Sequence, residues 1–149
     1  MCGFAGVLDP RRSRTEDATA DVLRAMSLPM VPRGPDADGA WVDASAGVGL
    51  VHRRLSILDL SPQGAQPMHS ADGRFVVVFN GEIYNYRALR HRLERKGHRF
   101  RSHCDTEVLL HLYAERGCEM VTDSWCCAST GKWGCRAVEL KMCVLPHPA

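Results

Sequence analysis

The stretch Arg74-Phe-Val-Val-Val-Phe79 carries five apolar side chains in succession, at positions 75–79. In an extended chain successive side chains point to opposite faces, so such a run is apolar on both faces and must be covered on both. The turn signal Ala-Asp-Gly (71–73) stands just before it. A central strand of a sheet buried on two sides is therefore expected here, and the rest of the chain has to supply the covering layers.

The flanking patterns supply helices and further strands. CGFAGVL, near the N-terminus, reads as a short buried strand. Ser13 and Glu16 have capping-box spacing, and Val22, Leu23 and Met26 share a helical face. That predicts a helix over about 15–27, ended by Pro29 and Pro32. VPRGPDADG (31–39) reads as a loop, and AWVD and GVGLVH as two strands joined by a short Ala/Ser turn. RRLSILDLSPQGAQP shows no sustained alternation. After NGE a helix is expected from roughly Tyr84 to Lys96, with Leu89 and Leu93 inward and Gly97 as stop. HRFRS (98–102) is expected to be a strand. A last helix is expected from about Asp105 to Arg116, with Val108, Leu109 and Leu112 inward. The order lacks the βαβ rhythm of a parallel sheet, which favours α+β with mostly antiparallel strands.

Composition narrows the class. At 149 residues the chain is one domain or part of one, and 45% hydrophobic residues suffice for a core. The net charge of +2, from 19 basic and 17 acidic residues, is too balanced to imply a nucleic-acid or membrane partner. The segment 87–101 holds seven Arg/Lys and one Glu, but without aromatic interleaving, and reads as a solvated face. No stretch approaches the ~18 apolar residues of a membrane span. The N-terminal apolar run is followed by DPRRSR rather than preceded by basic residues, so no signal peptide is expected and the expected location is cytoplasmic.

Seven cysteines without a CxxC pair give little support to a structural zinc site, and no metal is expected. Four of them, Cys126, Cys127, Cys135 and Cys143, lie with Trp125 and Trp133 in the last 29 residues. That segment has no clear period and no caps. It reads as an unrelated cysteine-rich tail over 121–149, of the kind a frameshift leaves, after a domain over 1–120.

Five stretches carry more polar residues or glycine than their neighbouring strands require: MCGFAG, RGPD (33–36), HRRLSI (52–57), NGEIYNY (80–86) and SHCDTE (102–107). Each has a plain structural reading. Cys2 suits a buried strand, RGPD a surface turn, Arg53 and Arg54 a solvated edge, Asn80-Gly81 a turn, and Asp105 a helix N-cap stabilising by about 1 kcal/mol. Their joint occurrence with a cysteine at position 2 favours chemistry. A thiol with a reference pKa of about 8.5 needs a base at neutral pH, and an α-amine of about 7.7–8.0 can be one. A cysteine exposed by removal of Met1 would supply both from one residue, with no histidine recruited. Gly3, Ala5 and Gly6 would let that chain end pack closely.

Together MCGFAG, RGPD, HRRLSILD, NGEIYNY and CDTEVLLHLY resemble the glutamine-hydrolysing domain of asparagine synthetases, a class II glutamine amidotransferase of the N-terminal nucleophile hydrolase superfamily. The resemblance spans about residues 2–120, and NGEIYNY is its most discriminating piece. Pro32 departs from the histidine usual before RGPD.

The resemblance implies a four-layer α-β-β-α sandwich, here incomplete. It implies hydrolysis of L-glutamine to glutamate and ammonia through a thioester on Cys2, with the Asn80 side chain and the Gly81 amide holding the oxyanion. Arg54 would receive the substrate α-carboxylate, and Asp105 with Glu82 the α-ammonium. Backbone groups of Leu55, Ser56, Ile57 and Leu58 would line the pocket. No cofactor is implied for this step. ATP and Mg belong to a synthetase domain whose SGG-type signature this chain does not contain; the ammonia acceptor would be aspartate. The alternative expectations are a catalytically inactive truncated fragment acting at most as a ligand- or partner-binding module, and a basic interaction domain.

Overall fold

The computed structural model describes residues 2–55, 62–122, 126–127 and 142–146. The expectations for Ser56, Ile57 and Leu58, and most of those for the tail, lie outside the described residues. The fold is α+β, with short antiparallel sheets and three α-helices. It separates into two units, residues 1–57 with 65–67 and residues 58–64 with 68–149.

In the first unit β1 (Gly3–Leu8), β2 (Ala37–Asp43) and β3 (Val48–Arg54) form an antiparallel sheet in the order β1-β3-β2. Helix α1 (Glu16–Ser27) lies on it, with Leu23 fully buried. Burial of a leucine of this kind stabilises by about 1.5–3 kcal/mol. Gly49 permits the close approach, because a Cβ there would stand 2.9 Å from the side chains of both Thr19 and Leu23.

Two expectations are corrected in this unit. The helix cap is Thr15, whose Oγ1 accepts the Ala18 amide at 3.2 Å, and not Ser13. The Asp9 carboxylate takes the Ser13 amide and hydroxyl and the Arg14 amide, which holds Ser13 in the preceding turn. Strand β2 begins at Ala37, inside the expected loop. Gly39 is a strand residue there, and any side chain on it would collide with the Gln66 backbone carbonyl.

In the second unit β4 (Met68–His69) and β5 (Phe75–Phe79) pair antiparallel, and β6 (Glu82–Ile83) pairs with β7 (Cys126–Cys127). Strand β8 (Met142–Pro146) pairs with the second edge of β5, so that β5 is central, as its sequence requires. Val76, Val77 and Val78 are all fully buried, so both faces of β5 are covered. Helices α2 (Tyr86–Arg95) and α3 (Asp105–Arg116) enclose a core of Phe79, Ile83, Leu89, Leu93, Leu109 and Leu112. Gly97 and Gly117, after the two helices, adopt positive φ.

The expected strand at 98–102 does not form. The Arg101 and Ser102 amides donate to the Glu107 carboxylate at 2.9 and 2.8 Å, which satisfies them without a neighbouring strand. His98 and Phe100 pack instead against His111 of α3.

Candidate functional site

The candidate residues fall into two groups, one in each unit. The first is built by the antiparallel pairing of β1 with β3, which sets Gly3 opposite Arg53. One step further along the same register brings Cys2 beside Arg54 and Leu55. The Cys2 sulfur accepts the Leu55 amide at 3.3 Å and its thiol donates to the Leu55 carbonyl at 3.5 Å.

Alternation separates the two arginines. Arg53 points to the helix side, where its Nε donates to the Ser27 hydroxyl at 2.8 Å and a guanidinium nitrogen lies 3.6 Å from Asp38. A side chain at Gly3 would point to that same side, towards Met30. Cys2 and Arg54, each one residue along, therefore share the opposite face. Arg54, and not Arg53, is on the side of the thiol.

RGPD braces this group. Gly34 lies against the peptide between Arg53 and Arg54, and the Asp36 amide donates to the Arg54 carbonyl at 3.0 Å. The sequence drew attention to the stretch without assigning it this task.

The second group lies where β5 runs into β6. Asn80 is half-buried, while Gly81 and Glu82 are exposed. A Cβ on Gly81 would stand 2.6 Å from the Phe79 ring, so the turn accepts glycine there. The Ile83 amide donates to Asp105 Oδ2 at 2.9 Å, which ties the NGE turn to the start of α3. The helix N-cap is Cys104, and Asp105 is the first helical residue. That corrects the reading of Asp105 as the cap. Asp105 is 5% exposed, and burial raises the pKa of its carboxyl group against the hydrogen bonds it accepts.

Glu107, unassigned by the sequence, is buried as well. Burial alone raises its pKa. The His111 imidazole 3.9 Å away, and hydrogen bonds from the Ser102 hydroxyl and the Arg101 and Ser102 amides, outweigh that and bring it down to about 2. The capping spacing within SHCDTE was the signal available for it.

Within each unit the candidate residues lie together: Cys2, Arg54 and Leu55 in the first, Asn80, Gly81, Glu82 and Asp105 in the second. Among the described residues no group of three or more His, Cys, Asp or Glu side chains is placed to hold a metal ion. No helix among them is long and apolar enough to cross a membrane.

A glutamine amidotransferase domain family matches residues 1–126. The chain is 42% identical over 123 residues to the glutamine-hydrolyzing asparagine synthetase 2 of Bacillus subtilis, covering 83% of this chain and 16% of that protein. It is 43% identical over 113 residues to asparagine synthetase 1 of the same organism, covering 76% of this chain and 17% of that protein. It is 36% identical over 129 residues to amidase chry2 of Gibberella zeae, covering 82% and 19%. The chain thus spans about a fifth or less of the length of these relatives.

Proposed function

Since the chain belongs to the glutamine amidotransferase domain family, we propose that it hydrolyses L-glutamine to glutamate and ammonia with Cys2 as nucleophile. The observation that carries this reading is the Cys2 thiol on the same sheet face as Arg54, hydrogen-bonded to the backbone of Leu55.

In this reading Met1 is removed and the freed α-amine takes the thiol proton. The sulfur attacks the side-chain amide carbon of glutamine. The Asn80 side-chain amide and the Gly81 N–H stabilise the oxyanion; removing one such donor typically lowers the rate ~10²–10³-fold. Collapse of the adduct expels ammonia, which leaves with a proton from the amine, and forms a γ-glutamyl thioester. Water then attacks the thioester, releasing glutamate and restoring the thiol.

Free glutamine carries two charges at its α-carbon. The guanidinium fork of Arg54 matches the α-carboxylate, and Asp105 with Glu82 the α-ammonium. Ionised Asp105 is costly in its buried position, and a bound ammonium offsets that cost. The Leu55 backbone groups, which already meet the Cys2 sulfur, line the same pocket.

The same reading takes the fold as a four-layer α-β-β-α sandwich. Support comes from the helix α1 on the first sheet and α3 on β5 in the second unit. The relatives' names and lengths support a role alongside a synthetase domain that consumes the ammonia; the reading takes aspartate as the acceptor and the cytoplasm as the location. ATP and Mg would belong to that domain. The residues here carry no SGG-type signature for them, and no step is routed through either.

The test is glutamate release by the purified chain, compared with Cys2→Ala. Activity that disappears with the thiol supports the proposal. Activity that survives in Cys2→Ala, or a folded chain that releases no glutamate, contradicts it.

A further inference from the structure

Building on the glutamine-hydrolysis reading, we propose that Glu107 is a positioning residue, which acts through Ser102 and Cys104 to hold the Asp105 carboxylate where the substrate α-ammonium binds.

The path is a run of buried hydrogen bonds. Glu107 Oε2 accepts the Ser102 amide at 2.8 Å and the Ser102 hydroxyl at 2.6 Å, and Oε1 accepts the Arg101 amide at 2.9 Å. Ser102 Oγ in turn accepts the Cys104 amide at 3.3 Å. The Cys104 thiol, so fixed, donates to Asp105 Oδ1 at 3.5 Å, while Oδ2 accepts the Ile83 amide. Ser102, Cys104, Asp105 and Glu107 are each under 10% exposed.

Burial pushes the Cys104 thiol up to about 11, so at neutral pH it is an S–H donor and not a thiolate. A nucleophilic role for Cys104 is thereby disfavoured, and a donor role favoured. A carboxylate offers about four lone-pair positions. The Cys104 and Ile83 contacts, with those of the Thr106 and Asp105 amides, fix the orientation of the Asp105 carboxylate. Simple closure of the helix end requires only that Glu107 reach the loop amides. It does not require the serine hydroxyl to hold residue 104, or the thiol to face the substrate-binding carboxylate.

The experiment uses the full chain carrying Cys2→Ala, so that ligand is bound but not consumed. Affinities for L-glutamine and for glutaramate, which keeps the amide and carboxylate but lacks the α-ammonium, are measured by calorimetry and competition. The parent is compared with Glu107→Gln, Ser102→Ala, Cys104→Ser and Cys104→Val, and hydrogen exchange at the Ile83 amide is followed by NMR in each.

Glu107→Gln and Cys104→Val are expected to weaken L-glutamine roughly tenfold, with glutaramate changed less than about twofold. Cys104→Ser, which keeps a donor, is expected to stay near the parent. Ile83 exchange is expected to accelerate in the first two. Equal weakening of both ligands, or Ile83 protection unchanged in folded variants, overturns the proposal. Should Glu107→Gln fail to fold, the contrast of Cys104→Ser with Cys104→Val decides. A parent that binds no L-glutamine refutes the glutaminase reading instead. Ile83 exchange then still decides the positioning: faster in Cys104→Val than in Cys104→Ser supports it, and equal rates overturn it.

Discussion

Gly34 rests directly on the peptide that joins Arg53 to Arg54. A Cβ at Gly34 would stand 2.5 Å from the Arg53 carbonyl carbon and 2.7 Å from the Arg54 nitrogen. The contact is with backbone and cannot be relieved by a rotamer change. Gly34→Ala should therefore displace the end of β3 and with it the Leu55 amide that meets Cys2. The expected loss is about 1–3 kcal/mol of stability, with a larger fractional loss of glutaminase activity. Chemical denaturation and steady-state kinetics on one preparation test this; an unchanged midpoint refutes the packing argument.

The two arginines of β3 should separate cleanly. Arg54→Lys keeps the charge but loses the planar fork, and should raise KM for glutamine about ten- to a hundredfold with a smaller change in kcat. Arg53→Ala removes the bond to Ser27 and should cost about 1 kcal/mol of stability while leaving KM near the parent value. The reverse pattern in kinetics would assign the carboxylate to Arg53 and refute the assignment to Arg54.

Asn80→Ala removes a proposed oxyanion donor at the end of β5. The expectation is a loss of ~10²–10³ in kcat with little change in KM, because the interaction forms in the transition state. Comparable losses in binding of L-glutamine to the Cys2→Ala chain would instead make Asn80 a ground-state contact.

Acid stability should depend on Glu107. Its folded-state pKa lies at about 2, below the reference 4.5. A depressed pKa contributes stability that is fully present above about pH 4.5 and is lost as pH falls towards 2. Glu107→Gln should therefore be less stable than the parent at pH 7, by about 2–3 kcal/mol, with the gap closing between pH 4.5 and 2. Asp105 works in the opposite sense. Its raised pKa gives stability that is present at low pH and lost as pH rises through the folded value. Asp105→Asn should thus cost little stability at pH 7 while glutamine binding is lost. Urea midpoints across the pH range check both signs.

What could be read from the sequence, and what could not, follows the range of the interactions. The apolar run 75–79 identified its own central strand because both faces of β5 are buried. Helix α3 was legible at both ends, from its apolar spacing and from Gly117 at positive φ. Local choices between similar residues were not. Ser13 and Thr15 are both good caps, and the Asp9 carboxylate, by binding Ser13, decides between them. HRFRS read as a strand, but Glu107, from the next helix, takes the amides a ladder would have used. The motifs pointed to Cys2, Arg54, Asn80 and Asp105 through their joint resemblance to a glutamine-hydrolysing domain. The support that Gly34, Ser102 and Glu107 give them depends on contacts between separate elements, which no local pattern encodes.

The most direct measurement is intact and peptide-level mass spectrometry of the purified chain, acid-quenched during turnover of L-glutamine. The expected result is a polypeptide lacking Met1, with an unmodified α-amine and a γ-glutamyl group attached through the Cys2 sulfur. Glutamate release by a chain that retains Met1, or a γ-glutamyl group on any other residue, would contradict the assignment of Cys2 as nucleophile.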